Sequence, residues 1–167
     1  MHIKRVKMCG IVGIWSKNSN EVQQKYVDTI LYKQSHRGPD NNSKITVDNI
    51  SLGHNRLAII DLSQEANQPF ESNCGRYTLV FNGEIYNYLE LRKNLDYQFK
   101  TSSDTEVLLA SYINYGEKCI EKLNGMFAFA IYDKNEKTLF CARDRIGKKP
   151  FVYTEDPSGF YFASELA

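Results

Sequence analysis

Cys9 is the residue in this chain with the clearest chemical potential. It follows Met8 and opens the apolar segment 9–15, which predicts a buried strand. If translation begins at Met8 and that methionine is removed, Cys9 carries a thiol and a free α-amine with a pKa of about 7.7–8.0. One residue would then supply both nucleophile and base, as an N-terminal threonine does. The alternative is a structural cysteine, since cysteine is among the most buried residue types.

The pair Asn82-Gly83 is a second candidate for chemistry, and Glu84 follows it directly. The asparagine NH₂ and the glycine N–H are two donors that could converge on one oxygen and form an oxyanion hole. The alternative is a hairpin turn, the commonest use of Asn-Gly between strands.

Arg56 and Asp104 could bind the two charged ends of an amino acid. An arginine after a strand can hold a carboxylate through two hydrogen bonds, although a surface ion pair is the alternative. Asp104 could be an ordinary helix N-cap or, with Glu84, a ligand for an ammonium. Together with Cys9 and the Asn-Gly pair, these groups match a free amino acid that carries a side-chain carbonyl.

Composition excludes several other classes of protein. The chain has 167 residues, 42% of them hydrophobic, and a formal net charge of +1. This length predicts one domain with an adequate core, and the balanced charge favours neither nucleic acid nor a membrane as partner. No apolar stretch approaches the roughly 20 residues that a membrane-spanning helix needs.

The start of the chain does not fit a secretory signal peptide, so the cytoplasm is the expected compartment, and the four cysteines should be reduced there. They are widely and irregularly spaced, without a CxxC motif, so we expect free thiols rather than zinc ligands or disulfides. They are Cys9, Cys74, Cys119 and Cys141.

The pattern of short alternating segments predicts an α+β domain with helices layered over antiparallel sheets. Strands are predicted at 9–15, 44–47, 51–61, 76–82, 125–132, 138–142, 151–154 and 160–163. Helices are predicted at 21–35, 88–95 and 104–115, the last capped by Asp104 and ended by Gly116. Segment 62–71 is predicted to be a loop, and the 126–131 alternation is predicted to be core.

Several motifs, in order, resemble the class II glutamine amidotransferase domain of glutamine-hydrolysing asparagine synthetases. They lie at 9–13, 37–40, 82–87, 103–106, 123–130 and 143–150. Glucosamine-6-phosphate synthases and amidophosphoribosyltransferases share the Cys-Gly-Ile start but match 37–40 and 82–87 less well. The resemblance implies the N-terminal nucleophile hydrolase fold, a four-layer αββα sandwich of two antiparallel sheets flanked by helices.

The resemblance also implies a substrate, L-glutamine, and a role for each candidate residue. Cys9 would be the nucleophile, with its own α-amine as base, and Asn82 and Gly83 would form the oxyanion hole. Arg56 would hold the α-carboxylate of glutamine, and Glu84 and Asp104 its α-ammonium. The strand edge that lines the glutamine pocket would be formed by the backbone of Leu57, Ala58, Ile59 and Ile60.

Other polar residues in the matching motifs are expected to be structural. His36, Arg37 and Asp40 are predicted to be the framework of a loop near the pocket, and His54 is also predicted to be structural. For Lys148 and Lys149 a solvated hairpin is favoured over an anion site.

Residues 1–8 depart from the family pattern. If they are retained, the α-amine of Cys9 is blocked. We expect a misassigned start, with Met8 as initiator, and otherwise a leader that is cleaved or uncleaved. Residues 9–167 are predicted to be a glutamine amidotransferase domain that is truncated at its C-terminus.

The family's synthetase domain has no counterpart in this sequence, which lacks a phosphate-binding glycine loop. No cofactor is therefore expected in this chain, with ATP and Mg²⁺ confined to the synthetase domain. The expected partner is a synthetase domain or subunit that receives ammonia, and the resemblance allows a homodimer of the full-length protein. Two alternatives stay open: a non-catalytic glutamine-binding module with a blocked N-terminus, and an amidotransferase with a different acceptor.

Overall fold

Two antiparallel sheets form the centre of the molecule. The structure, a computed structural model, describes residues 8–17 and 20–166, with only the backbone of 20–22. Most of the predicted leader, residues 1–7, therefore lies outside the described residues. The strands are β1 (Gly10–Ser16), β2 (Asn41–Val47), β3 (Ile50–Arg56), β4 (Phe70–Glu71), β5 (Tyr77–Ile85), β6 (Gly125–Asp133), β7 (Thr138–Arg143), β8 (Val152–Asp156) and β9 (Gly159–Ala163).

The strand order in the five-stranded sheet is β2-β3-β1-β9-β8, and in the four-stranded sheet it is β4-β5-β6-β7. The helices are α1 (Asn20–Lys33), α2 (Tyr88–Lys93), α3 (Asp104–Tyr115) and α4 (Cys119–Lys122). Helix α1 contacts β1 and β3, whereas α3 contacts β5. The helices therefore lie on the two outer faces of the paired sheets.

Alternation along the strands builds three apolar layers, because successive side chains point to opposite faces of a sheet. Ile11 of β1 and Ala130 of β6 lie in the core between the sheets. Val12 belongs to the cluster under α1, and Phe129 to the cluster under α3. This arrangement is the predicted αββα sandwich, and the predicted core role of the 126–131 alternation is confirmed.

Several element bounds agree with the sequence predictions. Helix α3 covers the predicted residues 104–115, and Gly116 follows it with φ 58°, a left-handed conformation that favours glycine. The predicted capping by Asp104 is wrong, because Ser103 is the N-cap and its side chain accepts a hydrogen bond from the Glu106 N–H at 3.3 Å. Asp104 is instead the first residue of the helix, which leaves its carboxylate available for other contacts.

Two predicted strand ends are wrong. Strand β3 ends at Arg56, so the second half of the predicted strand 51–61 is a loop. Strand β5 does not stop at the Asn-Gly pair but continues to Ile85. Its ladder with β6 places Asn82 opposite Ala128 and Gly83 opposite Phe127, so pairing between the strands overrides the local turn signal. The hairpin interpretation of Asn82-Gly83 is therefore wrong.

Short elements were missed. The predicted loop 62–71 contains a 3-10 turn and the two-residue β4, and α4 was not predicted. In the part of the chain that the structure describes, every helix is too short or too polar to cross a membrane.

Candidate active site

All the predicted site residues line one cavity. Its volume is about 370 Å³, which suits a small ligand. The N-terminal segment, the end of β3 with the loop after it, the centre of β5 and the start of α3 form its walls. The predicted residues that line it are Cys9, Arg56, Leu57, Ala58, Ile59, Ile60, Asn82, Gly83, Glu84 and Asp104.

Cys9 lies directly before β1 and is held by its backbone. Arg37 donates from Nε to the Cys9 carbonyl at 3.0 Å, and the Met8 N–H donates to the Arg37 carbonyl at 3.0 Å. The Cys9 Sγ accepts from the Leu57 N–H at 3.3 Å. Burial raises the pKa of the Cys9 thiol, while the Leu57 hydrogen bond and the nearby cations Lys149 and Arg56 act in the opposite direction.

The framework role predicted for residues 36–40 agrees with their contacts. The buried Arg37 forms an ion pair with Glu165 at 2.6 Å, and His36 contacts the same carboxylate at 3.2 Å. Asp40 accepts from the Ala58 N–H at 2.9 Å. These contacts join the residues before β2 to the cavity wall and to the segment after β9.

Asn82 carries an unusual feature of the cavity. The residue is 1% exposed, yet its Nδ2 has no hydrogen-bond partner among the described residues. A buried donor without a partner destabilises a fold by about 1–3 kcal/mol. Because Asn82 also lines the cavity, this amide is a candidate donor to a ligand bound there.

The close packing around position 83 leaves room only for glycine. A Cβ at this position would lie 2.3 Å from the Met126 carbonyl oxygen and 2.6 Å from a ring carbon of Phe81. Because β5 and β6 are paired here, the backbone oxygen cannot move away easily. A side chain is therefore excluded at the residue whose N–H was predicted to bind an oxyanion.

Arg56 is a buried cation without an anionic partner among residues 8–17 and 20–166. It is 8% exposed, and its Nη1 donates to the Ser63 carbonyl at 2.7 Å and to the Asn67 Oδ1 at 2.6 Å. Its Nη2 donates to the Asp61 carbonyl. The surface ion pair considered from sequence is wrong. Arg56 instead holds the loop over the cavity and leaves a positive charge to be neutralised.

Asp104 is a buried acid at the same cavity. Its Oδ2 accepts from the Ile85 N–H at 3.0 Å, and no cation pairs with it in the described part of the chain. Burial raises the pKa of Asp104 to about 6, the Ile85 and Thr105 backbone groups oppose this rise, and the charge of Glu84 adds to it. A positively charged ligand would relieve both carboxylates.

His54 is buried on β3 and is neutral. Its Nε2 lies 3.1 Å from the Phe81 carbonyl oxygen. Burial, opposed by this contact and reinforced by the charge of Arg56, lowers the pKa of His54 to about 3. These properties agree with the structural role predicted for it.

Lys149 was missed as a cavity residue. Lys148 is exposed as predicted, but Lys149 is 7% exposed and both line the cavity. The solvated-hairpin prediction is therefore wrong for Lys149. The sequence Gly147-Lys148-Lys149-Pro150 contains no signal that would show which of the two lysines is buried.

Comparison with known proteins defines the class. The chain matches the glutamine amidotransferase domain family over residues 8–167 and belongs to that family. It is therefore an amidotransferase domain. A solved structure of glutamine phosphoribosylpyrophosphate amidotransferase from Bacillus subtilis has the same fold, with a TM-score of 0.76 at 24% identity over 93% of this chain and 42% of that one.

Two curated relatives are more similar in sequence. Asparagine synthetase [glutamine-hydrolyzing] 3 of Bacillus subtilis is 44% identical over 165 residues, which cover 95% of this chain and 27% of the relative. The amidase chry2 of Gibberella zeae is 40% identical over 144 residues, which cover 84% of this chain and 22% of the relative. The chain thus spans about a quarter of the length of these relatives.

Proposed function

We propose that this domain hydrolyses L-glutamine to glutamate and ammonia through a thioester on Cys9. The observation that carries the proposal is the buried, unpartnered Nδ2 of Asn82 in the same cavity as the Cys9 thiol. Acyl transfer requires a donor of this kind, placed before the reaction and shielded from water, because negative charge develops on the carbonyl oxygen.

The charges of the cavity fit the two ends of glutamine. Arg56 would neutralise the α-carboxylate, and Asp104 with Glu84 would neutralise the α-ammonium. The backbone of the loop after β3 would line the side chain between them. Each charged group of the substrate would thereby provide a counter-charge that the described residues do not supply.

The reaction needs the thiol and the α-amine of Cys9 together. The amine takes the thiol proton, and the thiolate attacks the side-chain amide carbon. Asn82 and Gly83 stabilise the resulting oxyanion, the amine returns the proton to the departing nitrogen, and ammonia leaves. Water then attacks the thioester and releases glutamate and the free thiol. Each of these steps uses groups of the chain itself together with water.

The acceptor of the ammonia is proposed from the relatives. Similarity to asparagine synthetases supports asparagine synthesis in a synthetase domain, where ATP and Mg²⁺ would act. The similarity to an amidase keeps a different acceptor as a second candidate. The genomic sequence downstream of Ala167 distinguishes them. A homodimer of the full-length protein, a cytoplasmic location and the lack of a cofactor in this domain stay predictions.

The test compares two N-termini. One protein is expressed from Met8 and shown by mass spectrometry to begin at Cys9, and the other retains Met1. Glutamate release is measured for both. We expect activity only in the protein that begins at Cys9, because its amine is free. Cys9→Ala should abolish this activity, whereas Cys74→Ala, at an exposed thiol, should retain it.

Two outcomes would contradict the proposal. Activity in Cys9→Ala would exclude Cys9 as the nucleophile. Glutamine binding without hydrolysis by the protein that begins at Cys9 would favour the non-catalytic module instead.

A further inference from the structure

The backbone of Lys149 is fixed by the segment that follows β7. The Asp144 carboxylate accepts from the Lys148 N–H at 2.7 Å and from the Lys149 N–H at 2.9 Å. Arg143 donates from Nε to the Lys149 carbonyl at 2.6 Å. Because its N–H and its carbonyl are both bound, the backbone of Lys149 is fixed at the cavity that this residue lines.

The Lys149 ammonium lies beside the N-terminal segment. Its Nζ is 3.5 Å from the Met8 Sδ, and Met8 is the neighbour of Cys9 in sequence. Among the described residues Lys149 forms no ion pair, and that thioether is its one polar side-chain contact. A buried charge without a partner is costly. An anion that forms in this cavity would therefore be stabilised by Lys149.

We propose that Lys149 is a positioning residue that stabilises the thiolate of Cys9 through its positive charge. The inference rests on the proposed role of Cys9 as the nucleophile. If Met8 is removed, its thioether contact is also removed, and the ammonium is left in the cavity with Cys9. Lys149 would then raise the fraction of reactive thiolate near neutral pH.

The charges around Cys9 support this role. Burial raises the pKa of the Cys9 thiol, and after the Leu57 hydrogen bond Lys149 is the largest influence that lowers it, ahead of Arg56, while Asp104 raises it. The guanidinium of Arg56 is already bound to oxygens of its loop. Lys149 has no oxygen partner of this kind in the part of the chain that the structure describes.

The charges around Lys149 leave it able to respond to an anion. Burial lowers the pKa of Lys149, and the neighbouring charge of Arg37 lowers it further. The carboxylates of Glu84 and Asp144 and the thiolate of Cys9 raise it. Formation of the thiolate and retention of the ammonium therefore favour each other.

The test measures the pH dependence of Cys9 alkylation by iodoacetamide, followed by mass spectrometry of the Cys9 peptide. The proteins are the chain that begins at Cys9 and its variants K149M, K149R and K118M, the last at an exposed lysine that does not line the cavity. A nearby opposite charge typically shifts a pKa by about 1–3 units. We expect K149M to move the midpoint upward by about one unit, which lowers the rate at pH 7 about tenfold. K149R and the exposed-site control K118M should keep the wild-type midpoint, and the Cys74 peptide is an internal control.

A K149M midpoint equal to that of wild type overturns the inference, and so does a loss of glutaminase activity without a midpoint shift. If K149M does not fold, K149Q replaces it with the same expectation. A shifted midpoint in a protein whose wild type does not hydrolyse glutamine would refute the proposed function but leave the effect of Lys149 on the thiol intact.

Discussion

Replacing Asn82 by alanine should separate catalysis from stability. The Nδ2 that this change removes is buried and has no partner among the described residues. Loss of one oxyanion donor typically lowers kcat by about 10²–10³, or about 2.7–4 kcal/mol of transition-state stabilisation. KM for glutamine should change little, because the donor acts on charge that develops only in the transition state.

The free energy of unfolding should respond differently. Removing an unsatisfied buried amide relieves a cost of about 1–3 kcal/mol, and this gain opposes the packing lost with the small side chain. We therefore expect the free energy of unfolding of Asn82→Ala to lie within about 1 kcal/mol of the wild-type value, although truncation of a buried side chain commonly costs more stability.

Thr78 provides a matched control on the same strand. Its Oγ1 is also buried without a partner in the described part of the chain, but Thr78 does not line the cavity. Thr78→Val should retain kcat and keep or raise stability. Steady-state kinetics and urea unfolding measure both properties. A kcat for Asn82→Ala within threefold of wild type, or a loss of activity explained by unfolding, would refute the oxyanion role.

Three further predictions concern other residues of the cavity. Since the pKa of Asp104 is about 6 when folded and 3.8 ordinarily, the folded state binds the proton more strongly. The free energy of unfolding should therefore rise as the pH falls from 6 to 4. Over the same range kcat/KM should fall, because Asp104 loses its charge. In thermal melts, Asp104→Asn should flatten the dependence of stability on pH. Arg56→Lys should raise KM for glutamine about tenfold or more in steady-state assays, because lysine lacks the guanidinium's paired donors. Gly83→Ala should lower the free energy of unfolding in urea by about 1–3 kcal/mol or more, because its Cβ would overlap the Met126 carbonyl.

The elements that local interactions determine were predicted most accurately from the sequence. Helix α3 is capped by Ser103 and ended by Gly116, and both ends of the predicted range 104–115 are correct. The alternation of β6 was also recognised, because every second side chain enters the same layer. In contrast, β5 continues through Asn82-Gly83 because β6 pairs with it, and that partner is distant in sequence.

The candidate site was predicted as a set through its motifs, and the cavity contains every member. Lys149 was missed because its burial depends on Asp144, Arg143 and the N-terminal segment together. The pattern of lysines alone predicts exposure, since lysine is almost never fully buried without a partner. The residues missed by sequence are therefore those whose environment is made by contacts between distant segments.

The energetics of the cavity argue for a ligand independently of those motifs. Among the described residues, the Nδ2 of Asn82 has no partner and the positive charge of Arg56 has no anion, while burial raises the pKa of Asp104. All three residues line the same cavity as one thiol. A zwitterion with a side-chain carbonyl would satisfy the three together, whereas an apolar ligand would satisfy none of them. These three polar groups of the cavity therefore support the proposed amino-acid ligand without reference to the chemistry of Cys9.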